Sequence, residues 1–183
     1  MSQRVLGVVG LSGSGKSIVD EVAREMGFSL VIMGDVIREE TAKRNLAPTP
    51  ETVGKVMVEI RIEKGPAVVA KRCIPKIRKA SPKQVLIEGL RSLAEVNEFR
   101  RSFDSFKVVA IYASPKVRFH RIFGRKRRDD STDWQTFIER DLREINVGIS
   151  SVIVLADYII VNEGSLQCFK TKVQKVFRGI LSE

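Results

Sequence analysis

Histidine and cysteine are scarce in this sequence of 183 residues, which contains one histidine, His120, and two cysteines, Cys73 and Cys168. No CxxC or mixed Cys/His spacing is present, which excludes a zinc finger and a disulfide framework. A Ser-His-Asp triad would depend on His120 alone. We expect this histidine to be structural or superficial and both cysteines to be reduced.

Long apolar segments are also absent. The longest uninterrupted runs, such as residues 152–156, last a handful of residues, whereas a membrane-spanning helix needs about 18. The N-terminal residues show no signal-peptide pattern. Hydrophobic residues are 43% of the chain and charged residues 30%, which is typical of a globular protein. We therefore expect one cytoplasmic domain over residues 1–183 that does not bind membranes.

Acidic residues are fewer than basic ones: the sequence has 22 aspartates and glutamates and 32 lysines and arginines, which gives a net charge of +10. Such a surplus attracts polyanions, which include nucleic acid, an anionic membrane surface and nucleotide polyphosphates. Residues 64–87 carry seven basic side chains and no acid, but no aromatic residue on which a base could stack. The sequence therefore disfavours a nucleic-acid partner.

Short apolar runs alternate with segments of helical periodicity. We predict strands near residues 4–9, 28–33, 85–87, 108–112 and 158–161. Helix starts are indicated by Thr49-Pro50 and by Ser92 with Glu95, and an amphipathic helix is predicted over residues 165–181. This alternation predicts an α/β fold with a mostly parallel sheet.

A phosphate-binding loop follows the first predicted strand. The pattern GxxxxGK[ST] is matched by Gly10-Leu11-Ser12-Gly13-Ser14-Gly15-Lys16-Ser17. Glycines let backbone N–H groups turn toward phosphate oxygens, and the start of the next helix adds partial positive charge. We expect a nucleoside triphosphate here, with Lys16 on its phosphates and the Ser17 hydroxyl on Mg²⁺. The predicted nucleotide-binding residues in the loop are Gly10, Ser12, Gly13, Ser14, Gly15, Lys16 and Ser17.

Two absences narrow the class of nucleotide-binding protein. The Asn-Lys-x-Asp element of guanine-specific GTPases is missing. The third predicted strand ends in a single acid, Glu88, whereas motor ATPases usually have Asp-Glu there. Both absences count against switches and motors.

Two further segments carry a resemblance to adenylate kinases and related nucleoside monophosphate kinases. Gly34-Asp35-Val36-Ile37-Arg38 resembles their Gly-Asp-x-x-Arg element, which lies beside the phosphate acceptor. Glu88-Gly89-Leu90-Arg91 resembles their Asp-Gly-x-x-Arg turn, although Glu replaces Asp and the arginine comes one residue early. The resemblance implies that these segments bind the acceptor, with Glu88 also at the metal.

Two segments nearer the C-terminus extend the resemblance. Arg121-Ile122-Phe123-Gly124-Arg125 looks like the start of the adenylate kinase lid, to which Arg140 and Arg143 could add contacts. Residues 156–165 resemble a stretch of dephospho-coenzyme A kinases that packs against the ATP base, which implicates Asn162 and Gly164. The whole chain is also similar to a group of archaeal adenylate-kinase-related proteins.

The resemblance implies a three-layer P-loop NTPase fold with a five-stranded parallel sheet, a helical acceptor-binding insertion at residues 34–80 and a short lid at residues 121–143. It also implies phosphoryl transfer from Mg·ATP to a small nucleotide, most simply AMP. The predicted catalytic residues are Lys16, Asp35, Arg121 and Arg125, and the metal residues are Ser17 and Glu88. The acceptor would contact Gly34, Asp35, Arg38, Arg61, Gly89 and Arg91, while Arg121, Asn162 and Gly164 would contact the nucleotide.

Two alternatives stay open. A hydroxyl acceptor, as in dephospho-coenzyme A kinases, would use Asp35 as a general base, whereas a phosphate acceptor needs arginines and no strong base. A regulator or nucleic-acid-associated ATPase would instead use the basic surface. Of the remaining charges, we expect Arg118 to lie on a solvated helix face.

Overall fold

A parallel sheet of five strands forms the centre of the molecule. The computed structural model describes residues 3–125 and 133–182. The strands are β1 (Arg4–Val9), β2 (Ser29–Ile32), β3 (Gln84–Glu88), β4 (Lys107–Tyr112) and β5 (Tyr158–Val161), in the spatial order β2-β3-β1-β4-β5. Every pairing is parallel, so the predicted α/β fold with a five-stranded parallel sheet is confirmed.

Helices connect the strands and pack on both faces of the sheet. In the described residues they are α1 (Lys16–Glu25), α2 (Met33–Lys43), α3 (Pro50–Lys64), α4 (Val68–Lys79), α5 (Leu93–Ser102), α6 (Pro115–Arg125), α7 (Trp134–Val147), α8 (Ile149–Val154) and α9 (Leu166–Ser182). Within that part of the chain, none of the helices is both long and apolar enough to cross a membrane.

The apolar residues divide into two cores, one on each side of the sheet. Val5 of β1 faces the larger core, which α2, α3, α4, α5 and α8 complete. Its neighbour Leu6 faces the smaller core, under α1 and α9. Successive side chains of a strand point to opposite faces, and both faces of β1 are covered. This explains why the strands are short apolar runs without polar alternation.

The helix-start signals act as predicted. The Thr49 hydroxyl accepts a hydrogen bond from the Thr52 amide at 3.3 Å, before α3. The Ser92 hydroxyl accepts one from the Glu95 amide, also at 3.3 Å. The Glu95 carboxylate in turn accepts a hydrogen bond from the Ser92 amide. Both helices therefore begin where the sequence indicates, because local caps satisfy amides that a helix leaves unpaired.

The short helix α8 is a feature that the sequence pattern did not predict. Gly148 has φ of 115° and stands both at the end of α7 and at the start of α8. This left-handed conformation suits glycine and turns the chain between the two helices. Six residues are too few to display helical periodicity, so α8 looked like a plain apolar run.

Candidate functional site

A cavity of about 720 Å³ opens at the carboxyl ends of the strands. The loop after β1, the last residue of β3 and the residues that follow β2 and β5 all contribute to its wall. Parallel α/β sheets bind ligands at this edge, where the connecting loops diverge. The topology therefore brings together segments that lie up to about 150 residues apart in the chain.

The phosphate-binding loop curls tightly between β1 and α1. Gly13 and Gly15 have φ of 79° and 109°, and a Cβ at Gly13 would lie 2.7 Å from the carbonyl oxygen of Arg118. The Ser14 amide donates to the carbonyl of Leu11 at 3.1 Å. Only glycine fits these positions without strain, so the glycines of the motif are needed for the shape of the loop.

Lys16 lies inside this loop. Its Nζ donates to the carbonyl oxygens of Gly10 at 2.7 Å and Leu11 at 3.4 Å. Burial lowers the pKa of the Lys16 ammonium from its usual value of 10.5, while the carboxylates of Glu88 and Glu144 act in the opposite direction. The lysine is thus a half-buried cation that two carboxylates influence electrostatically, at the place where the motif predicts phosphate.

Arg118 corrects a prediction, since it was expected on a solvated helix face and is 3% exposed. Its guanidinium contacts both carboxylate oxygens of Asp141, at 2.9 and 2.5 Å, and lies over the ring of Phe137. It also donates to the carbonyl of Ser12 at 3.1 Å. The arginine therefore links the phosphate-binding loop to α7. No local pattern could indicate this, because Asp141 lies 23 residues further along the chain.

Asn162 also contacts the phosphate-binding loop. Its side-chain amide donates to the carbonyl of Ser14 at 2.8 Å, and its oxygen accepts a hydrogen bond from Arg121 at 3.4 Å. Asn162, Gly164 and Arg121 all line the cavity. The sequence predicted these three residues at the nucleotide, and the structure brings them together next to the loop.

Gly34, Arg38, Gly89 and Arg91 line the same cavity as Lys16. Two guanidinium nitrogens of Arg91 donate to the carboxylate of Glu144, at 3.1 and 3.3 Å, and a third donates to the carbonyl of Gly89 at 3.1 Å. The two predicted acceptor arginines therefore lie on the same side of the sheet as the lysine.

Glu144 was not singled out by the sequence. Burial raises the pKa of its carboxyl group, but the positive charges of Arg91 and Lys16 outweigh this effect and hold the pKa below its usual value of 4.5. Arg140, one turn earlier on α7, lines the cavity as well. The carboxylate of Glu144 therefore contacts a predicted acceptor arginine and is influenced electrostatically by the lysine of the loop.

Two predicted acceptor residues lie elsewhere. The carboxylate of Asp35 pairs with Arg38 and is not among the groups that line the cavity. The guanidinium of Arg61 donates to the buried Glu95 at 2.6 Å and to the carbonyl of Met57 at 2.6 Å. Arg61 thus ties α3 to the cap of α5, away from the cavity wall.

A small acidic cluster lies beside the loop. Ser17, Asp20 and Glu88 line the cavity together, and burial, with the nearby charge of Glu88, raises the pKa of Asp20 to about 6. Among the described residues, no group of three or more His, Cys, Asp or Glu side chains could hold a metal ion. A cation here would depend on one hydroxyl and two carboxylates, which are hard oxygen ligands.

Comparison with known proteins identifies the family of this chain. The family model of the AAA domain matches residues 9–138. A UPF0200 protein of Pyrococcus furiosus is 46% identical over 96% of this chain and 97% of its own length. Another, of Methanococcus maripaludis strain C6, is 41% identical over 98% of both chains. This chain belongs to the AAA domain family and to the UPF0200 proteins.

Two solved structures share the fold of this chain. TT1252 from Thermus thermophilus aligns over 98% of both chains, with a TM-score of 0.64 and 16% identity. A gluconokinase from Sinorhizobium meliloti 1021 aligns over 98% of this chain and 93% of its own, with a TM-score of 0.59 and 14% identity. The likeness to these two structures concerns the fold, whereas the resemblance to adenylate kinases remains a prediction.

The segment matched by the AAA domain model contains only part of the candidate site. Residues 9–138 include the loop, both predicted acceptor arginines and Arg121, but not Arg140, Glu144 or Asn162. The predicted lid is described only at its ends, since residues 126–132 and the side chain of the predicted catalytic residue Arg125 lie outside the described residues.

Proposed function

We propose that this protein transfers the terminal phosphoryl group of Mg·ATP to a small phosphate-bearing acceptor. Nucleoside monophosphates are the favoured acceptors, and AMP is the favoured one among them. The observation that carries this proposal is that Lys16, Arg38 and Arg91 line one cavity. Phosphoryl transfer asks mainly for positioning and for positive charge around the transferred group. A loop for the donor phosphates and two arginines in the same cavity meet that requirement.

The donor would bind on the loop side. The loop amides and the start of α1 would hold the phosphates, and Lys16 would exchange its contacts with the loop carbonyls for phosphate oxygens. Arg121 supports this arrangement, because its Nη1 atom is buried and has no hydrogen-bond partner. A buried guanidinium nitrogen without a partner is costly, so it favours an anionic ligand at this place.

Ser17 and Glu88 would hold Mg²⁺ on the donor phosphates. Bound there, the ion would neutralise charge on the phosphate oxygens and orient them. The residues present fit a magnesium site, since they offer a hydroxyl and carboxylate oxygens beside the loop. Lys16 and Arg121 would contribute the positive charge that comes from the protein itself.

The acceptor side favours phosphate over hydroxyl. Arg38 and Arg91 line the cavity, whereas Asp35, the candidate general base, is paired with Arg38 and does not line it. A hydroxyl acceptor would need a carboxylate within hydrogen-bond reach of its proton. Two arginines without a free base fit the clamping of an acceptor phosphate.

A coupled assay that measures ADP formation tests the proposal. Mg·ATP is supplied with AMP, other nucleoside monophosphates, dephospho-coenzyme A or gluconate, and the phosphorylated product is identified by mass spectrometry. We expect product with a nucleoside monophosphate, and a loss of at least about 100-fold in kcat/KM for Arg38→Ala. Lys43→Ala, which removes an exposed cation from the same helix, is the matched control.

Two results would replace the proposal. Turnover with dephospho-coenzyme A or gluconate, together with a loss of most of kcat in Asp35→Asn, would establish a hydroxyl acceptor and Asp35 as its base. Hydrolysis that no acceptor changes but that RNA or DNA stimulates would establish a nucleic-acid-associated ATPase, whose binding should weaken steeply with salt.

A further inference from the structure

We propose that Asp20 is an additional ligand of the divalent cation, which it holds together with Ser17 and Glu88, directly or through one bound water. The inference rests on the proposed function, because the cation would arrive with the nucleotide phosphates. The GxxxxGK[ST] motif ends at Ser17 and does not require an acid three residues later. The structure assigns Asp20 this role from its position, its burial and the absence of a partner for one of its oxygens.

The position of Asp20 follows from the helix. It lies three residues after Ser17 and four after Lys16 on α1, and side chains at these spacings share one helix face. That face lines the cavity, and Glu88 at the end of β3 lines it too. The charge of Glu88 acts on the pKa of Asp20. Asp20 thus lies among the groups already expected at the cation.

The burial of Asp20 lacks an explanation within the protein. The residue is 9% exposed, and its Oδ1 atom is buried with no hydrogen-bond partner. A buried carboxylate is normally paired, hydrogen-bonded or bound to a metal. An oxygen left without a partner beside a second carboxylate is unfavourable, and a divalent cation between the two would remove that penalty.

The neighbouring cations do not provide this compensation. The ammonium of Lys16 is directed to the carbonyl oxygens of Gly10 and Leu11. Arg24, one turn further along α1, is exposed. Both act electrostatically on Asp20, yet neither donates a hydrogen bond to Oδ1. Oxygen ligands from carboxylates and a hydroxyl are the set that Mg²⁺ and Mn²⁺ prefer.

Binding of Mn²⁺ to the complex of the protein with ADP tests this role without any transfer reaction. Free Mn²⁺ is followed by electron paramagnetic resonance in the parent protein, Asp20→Asn and Glu21→Gln. Glu21 is the neighbouring acid on α1, exposed and paired with Lys170, so its variant controls for the lost charge. We expect Asp20→Asn to weaken Mn²⁺ binding about 10- to 100-fold and Glu21→Gln to leave it unchanged.

A second measurement separates cation binding from general damage. In EDTA, Asp20→Asn should bind ADP as well as the parent protein or better, because a negative charge near the phosphates is gone. Equal Mn²⁺ affinity in Asp20→Asn and the parent protein would overturn the proposal. So would an equal loss of ADP binding with and without metal, since that would indicate a structural role. Should Asp20→Asn fail to fold, Asp20→Ser, checked by circular dichroism, replaces it.

The outcomes also distinguish this inference from the proposed function. If no acceptor is phosphorylated but Asp20→Asn still weakens Mn²⁺ binding, the proposed function fails and the cation ligand stands. If an acceptor is phosphorylated while Mn²⁺ binds both proteins equally, the inference about Asp20 fails and the proposed function stands.

Discussion

The guanidinium of Arg118 and the carboxylate of Asp141 form a buried ion pair, with nitrogen–oxygen distances of 2.9 and 2.5 Å. The same guanidinium donates to the carbonyl of Ser12. One arginine on α6 therefore joins α7 to the loop that is expected to hold phosphate. The pair is nearly free of solvent, with side chains 3% and 9% exposed.

The first prediction concerns this pair. Asp141→Asn would leave a buried guanidinium without its counter-charge, and we expect the free energy of unfolding to fall by about 3–5 kcal/mol. The double variant Arg118→Met/Asp141→Leu removes both charges and should recover much of that loss. Urea denaturation followed by circular dichroism measures both effects. A double variant as unstable as Asp141→Asn would contradict the explanation.

The second prediction concerns the loop itself. Lys16→Ala should lower kcat/KM for phosphoryl transfer by at least about 100-fold, because a preorganised positive charge at the transferred group is lost. The free energy of unfolding should change little or rise, since a desolvated ammonium is removed. Lys170→Ala, which removes a cation of α9 paired with Glu21, is the control. Unchanged turnover in Lys16→Ala would contradict the assigned role.

The third prediction is a pH dependence of stability. The folded protein raises the pKa of Asp20 from 3.8 to about 6, so the native state holds this proton more tightly than the unfolded state does. The contribution of Asp20 is therefore favourable at low pH and is lost as pH rises from about 4 to about 6. In EDTA, Asp20→Asn should be more stable than the parent protein above pH 6, by about 2–3 kcal/mol.

Urea denaturation at pH 5 and pH 8 measures the effect as a difference between the two proteins. Glu21→Gln should show no comparable difference, because Glu21 is an exposed acid of the same helix. If the advantage of Asp20→Asn were the same at both values of pH, the titration of Asp20 would not be its cause.

The fourth prediction tests the packing of the larger core. Cys73 is fully buried on α4, and burial raises the pKa of its thiol to about 12, whereas Cys168 is exposed at the start of α9. A thiol-reactive reagent should modify one cysteine rapidly in the native protein and the second only after unfolding. Peptide mapping identifies the site, and Cys168→Ser should remove the rapid phase. Rapid modification of Cys73 would show that α4 is not packed as described.

Local patterns predicted much of the fold and the shape of the phosphate-binding loop. The glycines of the loop, the caps at Thr49 and Ser92 and the apolar strand segments act within a few residues of one another, so the sequence displays them directly. The placement of Arg38 and Arg91 at the cavity followed from a resemblance. In each of these cases, the deciding interaction is short in sequence or is marked by a motif.

The supports of the site could not be predicted in the same way. Asn162 reaches Ser14 across 148 residues, and Arg91 reaches Glu144 across 53. Such pairs depend on the order of strands in the sheet and on the packing of α7, which no short segment encodes. Arg61 shows the same limit, because a basic residue predicted at the acceptor instead forms an ion pair with the buried Glu95.

Helix α7 connects the two halves of the cleft mechanically. Asp141 of this helix pairs with Arg118, which donates a hydrogen bond to the loop. One turn later, Glu144 accepts hydrogen bonds from Arg91. A tilt of α7 would therefore strain both contacts. A molecule that displaced Arg91 would strain its contact with Glu144, and so act on the same helix that holds the loop through Arg118.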